Sequence, residues 1–323
     1  TGYDFPAIEK KWVTKKLLPN GDMAPGQSFI INLRRDKFKD TRVRKAIGLM
    51  FNFEWSNKTL FYDLYARINS FWENSDMSAE GKPSKAEMNI LQSVESILPD
   101  NVIDSEVAQV SLYSTKQLDR KNLRMASKLL DEAGWEVSSD GLRKNLNGET
   151  LDVEILNDSQ AFTRIIEPFI QNLISLGVNA KHTKIDNAQM TERERSFDFD
   201  IVTGNFPMSF TPGSGLKQYF GSETADVSIF NKAGIKSDAI DKLIEVVMSA
   251  KTRQELKISV RALDRVLRSY YFWIPQWYKN VHTVAYYDFY EHPQNLPPYD
   301  MGLLDFWWMN EKKFSDLKEK GAF

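Results

Sequence analysis

The stretch "FDFDIVTGNFPMSFTPG", residues 197–213, decides how the fold is interpreted, because its character changes halfway along. The first half, FDFDIVT, alternates in the way that predicts a buried strand. Glycine and proline residues then break the strand, yet Phe206, Met208 and Phe210 keep large apolar side chains at every second position. Because connecting loops are usually polar and solvated, this pattern raises the question of what covers these three side chains.

Composition bounds the class of protein. The chain has 323 residues, of which 42% are hydrophobic and 27% charged, so it is long enough for a large core and for two domains. A formal net charge of -2 gives no electrostatic footprint for nucleic acid or an anionic membrane. The sequence has no cysteine, which excludes a disulfide framework and thiol catalysis.

Short apolar strands alternate with amphipathic helices along the chain, which is the pattern of an α/β fold. Residues 28–34, SFIINLR, and residues 197–203 predict buried strands. Amphipathic helices are predicted near residues 163–176, 238–250 and 252–270. No Gly/Ser-rich linker is present, so any domain boundary is expected to be a short crossing.

Residues that commonly carry catalysis or bind metals are scattered. His182, His282 and His292 have no second ligand at a suitable spacing, which predicts no metal site. Asp198 and Asp200 lie two apart and share a strand face; paired carboxylates can do acid/base work, but a solvent-facing strand explains them more simply. Phosphate-loop, nucleophile-elbow and zinc-protease motifs are absent from the sequence. We therefore predict neither an enzyme nor a bound cofactor.

Several segments, taken in their order along the chain, form one pattern. The first segment carries Asn32, Asp40, Arg42, Val43, Arg44, Ala46 and Asn52. The others are ASKLLDEAGW, DGLRKNLNGETLDVEIL, PFIQNLISLGVNAK, FDFDIVTGNFPMSFTPG, the stretch from DAIDKLIEVV to IPQWY, and GLLDFWW. In this order the segments resemble the C-terminal portion of the family 5 bacterial extracellular solute-binding proteins. NSFWENSDM and MSFTPGSGLKQYF are most similar to the YejA-type subgroup of oligopeptide and microcin-C-type binding proteins.

The resemblance implies an α/β fold of the periplasmic-binding-protein kind, type II-like (cluster C), in which two lobes close on a ligand. In the family roughly as much chain again precedes this point. This sequence is therefore expected to hold a complete second lobe, residues 33–276, and a fragment of the first lobe. That fragment would comprise a tail, residues 1–32, and a return segment, residues 277–323.

The resemblance also implies a function. Such a protein would be the substrate-binding component of an ABC importer, capturing oligopeptides or peptide-like compounds in an interlobe cleft and delivering them to the membrane permease. The expected location is the periplasm, with the signal peptide not in this chain. The expected partners are the peptide ligand, the permease subunits and a missing N-terminal lobe of the same protein, with no nucleic acid.

In relatives the segment after the FDF strand reaches the cleft, so the apolar residues of the opening stretch are expected to face the ligand. The implied ligand-binding residues are Thr203, Gly204, Asn205, Phe206, Met208, Phe210, Trp277 and Tyr278. Many relatives place an aspartate in this loop to hold the ligand's α-ammonium group, where this chain has Met208. Either another acid supplies the charge, with Asp198 and Asp200 as candidates, or the ligand end is modified, because an unpaired buried ammonium is costly.

Alternatives remain open at this point. Eight tryptophans could stack on sugar rings, and Asn69, Asn74 and Asn205 could be their polar partners, which would fit a carbohydrate- or peptidoglycan-fragment-binding protein of the same transport class. A hydrolase using Asp198 and Asp200 is a second alternative. A fragment without autonomous function is the third.

Overall fold

The structure is a computed structural model that describes residues 3–100, 102–111 and 113–323. Two compact units divide the chain: a larger unit, Met23–Tyr278, and a smaller unit that combines the residues up to Asp22 with Lys279–Phe323. Residues 1 and 2 of the predicted first-lobe tail lie outside the described residues. In the described part of the chain, no helix combines the length and the apolar character that crossing a membrane requires.

The regular elements alternate along the chain as predicted. The strands are β1 (Val13–Pro19), β2 (Ser28–Ile31), β3 (Ala66–Arg67), β4 (Glu136–Val137), β5 (Arg143–Lys144), β6 (Asp152–Asn157), β7 (Asn179–Lys184), β8 (Ile201–Gly204), β9 (Trp273–Pro275), β10 (Trp277–Tyr278), β11 (Val281–Tyr287), β12 (Tyr290–Glu291) and β13 (Trp308–Met309). The α-helices are α1 (Pro6–Glu9), α2 (Thr41–Gly48), α3 (Phe53–Leu60), α4 (Lys85–Gln92), α5 (Arg120–Glu132), α6 (Gln160–Ser175), α7 (Asn187–Arg195), α8 (Gly215–Phe220), α9 (Asp238–Ser249), α10 (Arg253–Ser269) and α11 (Glu311–Glu319). The three helices predicted from periodicity correspond to α6, α9 and α10.

The central sheet of the larger unit is mixed. Among the described residues it has five strands in the order β7-β6-β8-β2-β9. Strand β6 runs parallel to both β7 and β8, while β2 runs antiparallel to β8 and to β9. In the middle of the sheet, Phe29 pairs with Thr203 on one side and with Ile274 on the other. The mixed α/β fold class is confirmed.

Helices cover both faces of this sheet, and for that reason its strands have apolar residues at successive positions. Phe29 and Ile31 point to one face, where α2, α5 and α6 supply most of the helical side chains of the core. Ile30 and Val202 point to the other face and pack with α4, α9 and α10. The alternation within each strand therefore divides the core into two layers.

Local capping fixes where the covering helices begin. The Asp40 side chain accepts a hydrogen bond from the backbone N–H of Arg42 at 2.8 Å, as expected for an N-cap at the start of α2. Helix α10 begins with a capping box in which Thr252 and Glu255 satisfy each other's backbone N–H groups. These caps orient the two helices against opposite faces of the sheet.

The predicted domain limits at residues 33 and 276 differ from the structure. Strand β2 is buried at every residue and is paired on both edges, so it belongs to the centre of the larger unit, which begins at Met23. At the other end, Trp277 and Tyr278 pair with Arg67 and Ala66 and also belong to it. Because β2 is hydrogen-bonded on both edges, it is part of the central sheet and not a connecting segment. The larger unit therefore begins before residue 33.

The smaller unit is built around a long antiparallel pair. Strand β1 pairs with β11 over seven residues, from Val13 opposite Tyr287 to Pro19 opposite Val281. Phe289 packs against Phe314 and Phe323, with ring centroids 5.2 and 5.8 Å away. The beginning and the end of the chain thus form one unit with its own aromatic cluster.

Candidate functional site

Four segments of the larger unit meet beyond the carboxyl end of β8, and we call this place the strand-end region. It comprises residues 23–27 before β2, residues 68–74 after β3, residues 203–210 at and after the end of β8, and residues 276–278 after β9. Backbone hydrogen bonds join them: Phe206 N to Gly26 O at 3.3 Å, Gln276 N to Gln27 O at 2.9 Å, Ile68 N to Gln276 O at 3.2 Å, and Ala24 N to Glu73 O at 3.1 Å. In open α/β sheets, ligands bind outside the carboxyl ends of the strands.

Phe206 is part of the core, which corrects the prediction that its side chain faces a ligand. It is 1% exposed, and its ring centroid lies 5.3 Å from those of Phe71 and Phe220. Met208 is half-buried against the same cluster. The segment keeps the strand's alternation beyond β8, so its apolar side chains continue the inner row that begins at Val202. The core therefore covers the side chain of Phe206, which is more buried than those of Met208 and Phe210.

Strand β8 ends at Gly204, where its backbone lies close to the neighbouring strand β2. A methyl group built on Gly204 would lie 2.6 Å from Ile30 Cδ1, so even alanine would crowd the neighbouring strand. Thr203 and Gly204 pair with Phe29 and Ser28 on one edge, whereas the pairing of β8 with β6 is recorded only as far as Val202. Among the described strands, none pairs with the second edge of Thr203 and Gly204. This edge can accept an added extended chain.

Trp277 is also part of the core, and its predicted contact with a ligand is corrected. It is 7% exposed, and its ring lies 4.7 Å from that of Phe61 and 6.0 Å, stacked, from that of Phe162. The pairing of β10 with β3 turns this ring towards the layer that contains α3 and α6. Tyr278 is half-buried; burial raises the pKa of its hydroxyl, and the charge of Glu73 raises it further.

The remaining predicted residues stay accessible in the strand-end region. Asn205 is exposed, while Thr203 and Phe210 are half-buried. The Phe210 carbonyl accepts a hydrogen bond from Arg253 Nη1 at 2.6 Å, and Arg253 also pairs with Asp76 at 2.8 Å. The start of α10 thus anchors the loop, so its exposed residues have a defined position.

Two glutamines of the region escaped the sequence analysis. Gln27 Nε2 donates to Gln276 Oε1 at 2.8 Å, and Gln276 is fully buried. Gln276 Nε2 and the hydroxyl of Ser28 have no hydrogen-bond partner within the described residues. Buried polar atoms are usually paired, so these two mark an incompletely satisfied spot beside both crossings. The two glutamines could have been found in the sequence, because each is a polar residue directly next to an apolar strand: Gln27 precedes β2 and Gln276 follows β9.

Asp198 and Asp200 precede β8 and lie at its amino end, opposite the strand-end region. Asp198 pairs with Arg35 at 2.7 Å. Asp200 pairs with Lys37 at 2.7 Å and accepts the backbone N–H of Glu154 at 3.0 Å. These partners give both carboxylates a structural role. The suggestion that either replaces the ammonium-binding aspartate is therefore wrong.

Two of the three histidines, His182 and His292, have local polar partners. His182 Nδ1 lies 2.8 Å from a Glu167 carboxylate oxygen, and His292 Nδ1 lies 2.7 Å from the carbonyl oxygen of Pro293. Within the described residues, no group of three or more histidine, aspartate or glutamate side chains is arranged to hold a metal. Trp72 and Trp273 are 0% and 6% exposed, so neither ring offers an open face to a sugar.

Comparisons with known proteins agree with the fold. Residues 6–227 match the profile described as bacterial extracellular solute-binding proteins, family 5 Middle. The chain is 40% identical over 312 residues to the probable peptide-binding protein YejA of Agrobacterium fabrum, covering 95% of this chain and 50% of that protein. It is 28% identical over 312 residues to the peptidoglycan-binding protein YepA of the same organism, with 95% and 50% covered.

Among solved structures, the oligopeptide-binding protein AppA from Bacillus subtilis, in complex with a nonapeptide, superposes with a TM-score of 0.63 at 18% identity. The match covers 95% of this chain and 55% of AppA, and it shows the fold. The chain thus spans about half the length of the relatives it matches. The names of these relatives all describe binding proteins, so the hydrolase alternative finds no support among them.

Proposed function

The chain belongs to the family 5 bacterial extracellular solute-binding proteins, and from this premise we propose that it captures oligopeptides or peptide-like compounds for an ABC importer. The protein would deliver them to the permease subunits from the periplasm. The observation that carries the proposal is the unpaired second edge of Thr203 and Gly204 beyond the end of β8. The names of the relatives support a peptide as the ligand.

An extended peptide fits this edge because its main chain can hydrogen-bond there without its side chains being read. Thr203, Asn205, Met208, Phe210 and Tyr278 flank the edge and remain the proposed contact residues. Phe206 and Trp277 support this surface from the core side and do not contact the ligand.

We assign the larger unit to the second lobe of the family and the smaller unit to part of the first lobe. The remainder of the first lobe would come from chain that corresponds to the other half of the relatives. With a ligand held between two lobes, this chain alone would provide about half of the contacts. Halving a binding free energy of about -8 kcal/mol, which is micromolar affinity, leaves roughly millimolar affinity, while the entropic cost of association remains.

A carbohydrate- or peptidoglycan-fragment ligand is the second candidate, and the name of the relative YepA is the observation that favours it. The burial of Trp72 and Trp273 weighs against stacked sugars in this part of the chain. A muropeptide would still present a peptide stem to the edge at Gly204, so the two candidates differ in whether glycan contributes to binding.

Calorimetry of the chain against a mixed peptide library and against glycan fragments without peptide tests the proposal. We expect weak, saturable binding of peptides, reduced by Asn205→Ala in the strand-end region. The matched control is Asn147→Ala, an exposed residue in the turn between β5 and β6. Binding of glycan alone, or equal effects of the two substitutions, would contradict the assignment.

A further inference from the structure

Glu73 lies in the strand-end region and is held in a fixed position. Its side-chain Oε2 accepts the backbone N–H of Asn69 at 2.8 Å, and its own N–H donates to the carbonyl of Ser70 at 3.3 Å. Its carbonyl accepts the N–H of Ala24 at 3.1 Å. The turn that carries Glu73 is therefore tied to the segment leading into β2, and its carboxylate has a defined place.

The charge of this carboxylate is not neutralised by an ion pair. Glu73 is half-buried, and burial raises its pKa. Within the described residues, no lysine, arginine or histidine nitrogen is recorded within 4.0 Å of it. By contrast, buried Asp264 pairs with Arg268 at 3.2 Å, and Glu154 pairs with Arg193 at 2.6 Å. A half-buried carboxylate without a cation costs free energy, which a positively charged ligand group would recover.

The turn that carries Glu73 lies beside the loop that follows the proposed peptide edge. Phe71, two residues earlier, packs on Phe206 with ring centroids 5.3 Å apart, which brings the turn next to the loop after β8. On another side the charge of Glu73 acts on the hydroxyl of Tyr278, one of the proposed contact residues. Arg268 and Asp264 are the other charged groups that act on Glu73: Arg268 lowers its pKa, Asp264 raises it, and the two residues pair with each other at 3.2 Å.

We propose that the Glu73 carboxylate binds an ammonium group of the peptide ligand in the strand-end region. This rests on the proposed function and names the chemical group that the site selects. It also accounts for Met208, because the negative charge is supplied by the turn after β3 rather than by the loop after β8. The ammonium group has two sources in a peptide: the amino terminus and a lysine side chain.

Three peptides separate these sources. Trialanine carries only the terminal ammonium, N-acetyl-Ala-Lys-Ala carries only the lysine ammonium, and N-acetyl-trialanine carries neither. Each is titrated into the 323-residue chain and followed by NMR chemical shifts, which detect millimolar affinities. We expect at least one ammonium-bearing peptide to bind roughly tenfold or more tightly than N-acetyl-trialanine, as for a charge-assisted hydrogen bond.

The substitution E73Q should remove this preference, because the amide keeps the shape and the acceptor for Asn69 but loses the charge. Glu95→Gln, at an exposed position, is the matched control and should leave the preference intact. Equal binding of all three peptides to the unsubstituted chain overturns the proposal without any variant, as does a preference that survives in folded E73Q. If no peptide binds at all, the proposed function fails together with it.

Discussion

Truncating Phe206 to alanine should cost the larger unit much of its stability, because the structure places this residue in the core. Its side chain is 1% exposed and contacts Phe71, Phe220 and Phe272, with ring centroids 5.3, 5.3 and 6.0 Å away. The neighbours belong to three separate segments of the chain and cannot all collapse into the space left behind. A fully buried Phe→Ala change typically costs about 3–5 kcal/mol, and we expect a value in this range.

Urea unfolding followed by tryptophan fluorescence measures this loss, since Trp72 and Trp273 report on the same core layer. The control is Asn205→Ala, one residue earlier and exposed, which should change the free energy of unfolding by less than about 0.5 kcal/mol. A loss below about 1 kcal/mol for Phe206→Ala would refute the core assignment and return this side chain to the ligand-facing surface.

Three further substitutions test the packing and the ion pairs of the larger unit. Gly204→Val should destabilise by about 1–3 kcal/mol, measured by urea unfolding, because its side chain would overlap Ile30; no loss would contradict the close approach. Asp264→Asn should cost about 3 kcal/mol in the same assay, because buried Asp264 accepts the N–H groups of Phe71 and Ala79 at 3.0 Å and pairs with Arg268; a neutral effect would contradict this. For Glu154, burial acts to raise the pKa, but hydrogen bonds from Arg193, Thr183 and Lys181 lower it to about 2. The lowered pKa stabilises the folded state at pH values above the pKa of Glu154 in the unfolded chain, and this stabilisation is lost as the pH falls towards 2. Glu154→Gln should therefore flatten the acid unfolding curve; an unchanged curve would contradict the ion pairs.

The sequence predicts the layers of the fold well, for a local reason. Strands covered on both faces need apolar residues at successive positions, and covering helices need apolar stripes, so β2, β8, α6, α9 and α10 all leave periodic patterns. The domain limits do not follow from such patterns. Whether Ser28–Ile31 is a tether or a central strand depends on its pairing with Gly204 and Pro275, which are distant in the chain.

The candidate site was only partly predictable, because a core row and a cleft wall have the same alternating pattern. Phe206 is buried by three aromatic rings, those of Phe71, Phe220 and Phe272. The sequence around residue 206 does not indicate that these rings pack on it. The place of Asp198 and Asp200 was not predicted, since the alternating stretch FDFDIVT predicts a strand that includes them, whereas β8 begins at Ile201. Glu73 left no periodic signal, because its proposed role depends on a folded turn where no cation among the described residues lies within 4.0 Å of the carboxylate.

The central claim is that an extended peptide binds along the edge of Thr203 and Gly204, and amide-resolved NMR of the chain during a peptide titration tests it most directly. We predict that saturating peptide shifts the amide signals of Thr203, Gly204 and Asn205 and slows hydrogen exchange at this edge. Amides at the amino end of β8, around Asp198, should stay unchanged and serve as the internal control. Saturable shifts confined to the amino end, or none at the Gly204 edge, would contradict the account.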